Sequence, residues 1–191
     1  DFTRLELPTG ELHPISNAEI LNMLEDRNGI LWVGSSFGLY RFDPSRPLSE
    51  IRHYLYQDEN LKSIDQGEQP VHFLCEDRDG LLWMSCINID DYINFGLRTF
   101  DKESETFSYI RLDSSFNKNE YETSSGYVAM ILSDSEQDLW LGTDCGLRKY
   151  DFDRNLFHTY VPFPGDKTPF MNEVISIGEN GRENLWIGTR H

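Results

Sequence analysis

Leu31-Trp32-Val33-Gly34 is approached by Glu25-Asp26-Arg27-Asn28-Gly29 and followed by Gly38-Leu39-Tyr40-Arg41-Phe42-Asp43, and this stretch is a unit that the chain repeats. All four tryptophans belong to it. Trp32, Trp83, Trp140 and Trp186 lie 51, 57 and 46 residues apart, and each follows a leucine and precedes an aliphatic residue or methionine. A period of about 50 residues is the mark of a repeat architecture.

Aligned on the tryptophan, the residue twelve before it is Ile20, Val71, Val128 or Val174, and the residue nine before it is Met23, Leu74, Ile131 or Ile177. A polar turn follows (Arg27-Asn28-Gly29, Arg78-Asp79-Gly80, Ser135-Glu136-Gln137, Gly181-Arg182-Glu183) and then the tryptophan segment. Two short strands joined by a tight turn are implied. Gly38 to Asp43, Gly96 to Asp101 and Gly146 to Asp151 supply a third strand, and segments such as Phe107 to Ile110 and Phe157 to Tyr160 a fourth. Four antiparallel strands per repeat at this period form the blade of a β-propeller, so the fold class is all-β.

In chain order, residues 1–7 match the last strand of a preceding blade. Blades then span 17–56, 70–112 and 127–161, and 172–191 match the first half of a further one. Three whole blades with two partial ones are too few for a ring, so the sequence reads as a partial propeller that joins further blades of a parent chain. Its open edges are expected to pair, either with a second copy or through Phe2 to Leu7 completing the blade begun at Asn172.

The 191 residues are 38% hydrophobic and 13% aromatic, which is globular composition. The net charge of −16 disfavours nucleic acid and direct contact with anionic membrane surfaces, both of which are bound chiefly through Lys and Arg. No run approaches the roughly 18 apolar residues of a membrane span, and no signal segment opens the chain. Either the chain is cytoplasmic or its targeting and anchoring parts lie outside it. Cys75 reads as a small buried hydrophobe. Cys86 and Cys145 both follow tryptophan segments, which leaves a bridge between neighbouring loops open.

Each signature residue has a physical task. Asp26 and Asp77 accept N–H bonds within their own turns, and Gly29 and Gly80 supply positive φ. The tryptophans pack flat and buried at equivalent places on second strands, each indole N–H seeking a carbonyl. Gly34, Gly142 and Gly188, two residues beyond the tryptophan, let a neighbouring strand approach.

The pattern apolar-x-x-apolar-x-Glu-Asp-x-x-Gly-x-Leu-Trp-aliphatic-Gly-Thr/Ser-x-x-Gly-Leu-x-x-Tyr/Phe-Asp resembles the two-component regulator propeller repeat over residues 16–191. Departures are Ser85 for the glycine after Trp83, Gln137 for the turn glycine and Asn180 for the turn aspartate. The resemblance implies the periplasmic sensor of a Bacteroidetes hybrid histidine kinase, responsive to polysaccharide fragments. Kinase activity would then lie elsewhere in the parent, and this stretch would not itself be an enzyme.

Other chemistries fare less well. Asp26 and Asp77 begin stretches like a calcium loop, but Phe37 and Asn88 stand where the bidentate glutamate belongs. The same stretches resemble the Asp-box of sialidases, with the aspartate-to-tryptophan interval one residue too long and no arginine cluster for a carboxylate. His13, His53, His72, His158 and His191 are scattered, and no spacing singles out a catalytic pair, a metal site or a cofactor. The alternatives to the sensor are a propeller enzyme of the lyase or glycan-active type and a protein-binding scaffold.

Link lengths point to a binding face. The links from fourth strand to next first strand are long, at Gln57 to Gln69, Asp113 to Gly126 and Pro162 to Met171. Trp83 to Gly96 spans 13 residues, where Trp32 to Gly38 and Trp140 to Gly146 span 6. Both classes of link emerge on the same face of an up-and-down blade, and variable loops on a fixed scaffold carry binding. The insert offers Asn88, Asp90, Asp91, Tyr92 and Asn94 to a small oligosaccharide: carboxylates and amides for hydroxyls, an aromatic ring for stacking.

Overall fold

A computed structural model describes residues 18–47, 50–56, 69–86, 96–110, 112, 127–163, 165, 172–181 and 184–190. Among them are fourteen strands in antiparallel sheets, each sheet ordered as the chain runs. The first sheet holds β1 (Ile20–Glu25), β2 (Leu31–Ser35), β3 (Gly38–Phe42) and β4 (Arg52–Tyr54). The second holds β5 (Val71–Glu76), β6 (Leu82–Cys86), β7 (Gly96–Asp101) and β8 (Thr106–Ile110). The third holds β9 (Val128–Ser133), β10 (Leu139–Thr143), β11 (Gly146–Asp151) and β12 (Leu156–Tyr160), and the fourth pairs β13 (Val174–Glu179) with β14 (Leu185–Thr189). The chain divides into two compact units, 1–72 and 73–191. Residues 1–7, on which the expected edge pairing depends, lie outside the described residues.

The repeat fixes register as well as order. Trp32 pairs with Leu24, Trp140 with Leu132 and Trp186 with Gly178, in each case the residue eight before it. The register slips at the same point in these three sheets, between Ile20 and Asn22, between Gly142 and Thr143, and between Val174 and Ser176, so one extra residue bulges at the start of each first strand.

Turn chemistry follows from the aspartate. Asp26 N donates to Ile30 O, Asp77 N to Leu81 O, Asp134 N to Asp138 O and Asn180 N to Asn184 O, so the substitution at Asn180 leaves the closing bond in place. Gln137 takes φ 65° where Gly29 and Gly80 take 75° and 87°, so a non-glycine holds the left-handed position. One expectation is corrected here: the indole acceptor is not a carbonyl. Trp32, Trp83 and Trp140 donate Nε1 to Asp26, Asp77 and Asp134 Oδ2 at 2.9, 2.6 and 2.7 Å. A carboxylate six residues upstream serves both turn and ring because the tight turn folds it back beside the second strand.

Burial concentrates on second and third strands. Every residue of β6 is buried, as is β7 up to its last residue, whereas β8 and β12 are largely exposed outer strands. Between the second and third sheets Cys75, Trp83, Leu97, Val128, Ile131, Leu139 and Leu141 form one cluster. Tyr150 and Phe157 close over Trp83 edge-on, at 4.9 and 6.2 Å between ring centroids. Between the third and fourth, Leu147, Val174 and Ile177 pack with Trp140 and Leu185.

Equal burial of the four tryptophans is also corrected. They share equivalent strands, and Trp32 and Trp83 are buried, but Trp140 is half-buried and Trp186 is 70% exposed. The covering rings of Trp83 come from the following sheet, and among the described residues no strand follows β14.

Gly34 and Gly142 have a common task. A Cβ on Gly34 would lie 2.5 Å from Val71 O, and one on Gly142 would lie 2.6 Å from Val174 O, so the next repeat's first strand passes directly over the glycine.

Candidate functional site

In each sheet, the end to which a long link leads is built where the first strand begins and the second strand turns into the third. Ser36 N donates to Glu19 O at 2.9 Å while Glu19 N donates to Ser36 Oγ at 3.0 Å, tying the β2–β3 turn to the entry of β1. Gln69 N donates to Ser36 O at 3.0 Å, and Gln69 bridges Phe37 in parallel, so the segment entering β5 docks on the same turn. The fourth sheet repeats the tie: Arg190 N donates to Glu173 O, and the Arg190 guanidinium grips the buried Glu173 carboxylate at 2.7 and 3.1 Å.

In the first unit this end presents Glu19, Ser36, Gln69, His53 and His72. His53 Nε2 lies 2.5 Å from Phe37 O and its ring stacks on Tyr40 at 4.3 Å, 7° from parallel. His72 Nε2 and Gln69 Oε1 are enclosed without hydrogen-bond partners among the described residues. Burial pushes the His72 imidazole below its ordinary value, with the Glu19 carboxylate pulling weakly the other way, so the ring is neutral near neutral pH.

In the second unit the β10–β11 turn presents Asp144 and Cys145, with Arg148 two residues beyond Gly146. Thr143 Oγ1 donates to Gly146 O at 2.7 Å and fixes the turn. Burial, and then the Asp144 charge, push the Cys145 thiol up, while Arg148 pulls it down. Cys75, buried in its strand, has its thiol pushed up to about 12, chiefly by burial. All three cysteines are free thiols.

Asn88, Asp90, Asp91, Tyr92 and Asn94 lie outside the described residues, so no geometry joins them to these sheet ends. Asp26, Asp77, Gly29 and Gly80 sit in the β1–β2 and β5–β6 turns, at the opposite end of their sheets from the β2–β3 turn, and with the four tryptophans they are scaffold. The sequence reading missed Arg98 and Arg148, two buried cations at matching places on β7 and β11. Their signal was present: a charged residue recurs two after the glycine of Gly96-Leu97-Arg98 and Gly146-Leu147-Arg148, on strands otherwise heading for the core. Among the described residues no group of three or more His, Cys, Asp or Glu is placed to hold a metal.

The profile of the two component regulator propeller family matches residues 14–37. Residues 14–37 are a two-component regulator propeller repeat. Over 131 residues, 69% of the chain, the sequence is 30% identical to a protein of Formosa agariphila named Histidine kinase P4. The fold aligns over 91% of the chain, with a TM-score of 0.62 and 22% identity, with the extracellular domain of a protein assigned as a hybrid two component system from B. thetaiotaomicron. It also aligns with virginiamycin B lyase from Staphylococcus aureus, over 97% of this chain and 52% of that one, with a TM-score of 0.61 at 13% identity, a likeness of fold alone. The chain spans 8% of the histidine kinase's length and 22% of the B. thetaiotaomicron chain. It is a propeller chain whose fold is like that of the extracellular domain of the B. thetaiotaomicron protein.

Proposed function

We propose that this propeller chain is part of the ligand-sensing, periplasmic region of a hybrid sensor histidine kinase, and that its ligand is a short oligosaccharide held at the loop-bearing face. The observation that carries the reading is the 30% identity, over most of the chain, to a histidine kinase. The likeness of fold to an extracellular sensor domain supports the side of the membrane. On this reading the chain itself performs no chemistry, and phosphoryl transfer belongs to another part of the parent protein. The saccharide assignment rests on the composition of the insert with Asn88, Asp90, Asp91, Tyr92 and Asn94.

Two experiments test it. Reading the parent gene on either side should reveal a membrane-spanning helix followed by a kinase core; a gene coding for a secreted propeller without either overturns the sensor assignment. Titration calorimetry against a panel of neutral and acidic oligosaccharides should find a ligand whose affinity falls in Asp91→Ala and Tyr92→Ala. Unchanged affinity in both variants removes the insert as its site. A lyase reading has only the likeness of fold to virginiamycin B lyase behind it, which brings the architecture and no active-site residue.

A further inference from the structure

Arg148 keeps 6% of its surface exposed. Its Nη2 donates to Cys145 Sγ at 3.6 Å, and its Nε is enclosed with no hydrogen-bond partner among the described residues. The neighbouring carboxylate, Asp144, accepts from the same thiol, Cys145 Sγ to Asp144 Oδ1 at 3.2 Å, so a neutral sulfur stands between cation and anion. A thiol is a weak acceptor, and a buried guanidinium is costly unless paired with good geometry.

The matching positions in the other sheets are satisfied differently. In the second sheet the Arg98 guanidinium lies 5.3 Å from the ring of Tyr109, its cross-strand partner. In the first, Tyr40 stacks on its cross-strand partner His53. Arg148 faces Thr159, which has no ring to offer. Residues two apart on a strand share a face. Arg148 therefore points the same way as Tyr150, which packs on Trp83, toward the second sheet and beside the β10–β11 turn that holds Cys145.

We propose that Arg148 is an anion-recognition residue that takes one oxyanion group, a carboxylate or a sulfate, of a ligand bound at the loop-bearing face. This rests on the reading of that face as the ligand face, and it narrows the ligand class to acidic saccharides. In a chain of net charge −16 such a ligand needs a local cation, and a guanidinium offers a planar fork to an oxyanion.

The test uses the full chain with glucuronate, sodium sulfate and glucose as probes, sodium chloride holding ionic strength constant. Glucuronate or sulfate should raise the melting temperature of the parent chain above the chloride reference. Arg148→Gln and Arg148→Met should weaken that anion by about tenfold to hundredfold. Without anion, both variants should melt no lower than the parent, because an unpaired buried charge has been removed. Occupation of the guanidinium should also slow alkylation of Cys145 by iodoacetamide, an effect absent in Arg148→Gln and one that a purely structural arginine would not produce. A response to sulfate alone supports the anion site and removes the saccharide. Equal binding of glucose and glucuronate, unchanged in Arg148→Gln, overturns the anion site and leaves the oligosaccharide reading standing. No response to either anion, with both variants melting lower than the parent, makes Arg148 a structural residue and overturns the proposal.

Discussion

Trp83 donates its indole N–H to Asp77 Oδ2 at 2.6 Å, and the other oxygen of the same carboxylate accepts Asp79 N and Leu81 N at 3.0 and 2.9 Å. One buried aspartate thus closes the hairpin turn and fixes the rotation of the largest side chain in the core. Asp77→Ala strands three donors at once and should cost about 3 kcal/mol or more. Asp77→Asn retains an acceptor for the turn and should cost less. Urea unfolding of the two variants checks the order; equal midpoints would mean that the acceptor retained for the turn contributes nothing.

Trp83 and Trp186 occupy the same place in the repeat and differ in cover. Trp83 is 2% exposed beneath Tyr150 and Phe157, while Trp186 is 70% exposed. Trp83→Ala should cost about 3–5 kcal/mol by cavity formation, whereas Trp186→Ala should stay within about 0.5–1 kcal/mol. Iodide quenching should be reduced in Trp186→Phe and nearly unchanged in Trp83→Phe. The reverse pattern would place the exposed indole elsewhere.

Strand order and turn closure were legible because the repeat writes the same local chemistry several times, and each copy checks the others. Burial was less legible. The sequence marks Trp186 with the same neighbours as Trp83, but cover comes from the sheet that follows, which a local pattern does not report. The bulge at the start of β1, β9 and β13 leaves no mark either, since Leu21, Ala129 and Ile175 have no residue type in common. Link lengths point to a loop-bearing face, but the insert that would furnish it lies outside the described residues. The buried Arg148 escaped because an arginine on a strand reads as an outward-facing residue until its neighbours are known.

The third-to-fourth strand turns make stability sensitive to acid. Asp101 Oδ1 accepts Glu103 N and Ser104 N at 2.8 and 3.3 Å, and Asp151 Oδ1 accepts Asp153 N and Arg154 N at 3.0 Å each. Backbone bonding, from Glu103 and from Arg154 respectively, is the main cause that lowers both carboxyls below their ordinary 3.8. For Asp43 the first cause is the Ser45 hydroxyl. A folded-state value below the unfolded one contributes stability that is fully present above pH 3.8 and is lost as the pH falls through the folded value. Urea midpoints should therefore drop as the pH goes below about 4, and Asp101→Asn should flatten part of that slope. A slope identical to the parent's would show that the turn does not hold Asp101 ionised.

At the position two after the tryptophan, replacement by alanine has opposite signs in adjacent sheets. At Gly142 an alanine Cβ would lie 2.6 Å from Val174 O and 3.2 Å from Val174 Cγ1, so the first strand of the next sheet must move. Gly142→Ala should cost about 2–3 kcal/mol by overpacking. In the second sheet Ser85 stands at that position, so the local backbone already accommodates a Cβ. Its side chain is 1% exposed and its hydroxyl has no hydrogen-bond partner among the described residues. Ser85→Ala keeps the Cβ and removes an unpaired buried hydroxyl, which should stabilise by about 1 kcal/mol. Denaturant midpoints of the two alanine variants should move in opposite directions from the parent. A neutral Gly142→Ala would mean that the approach of the Val174 carbonyl is not what excludes a side chain at this position.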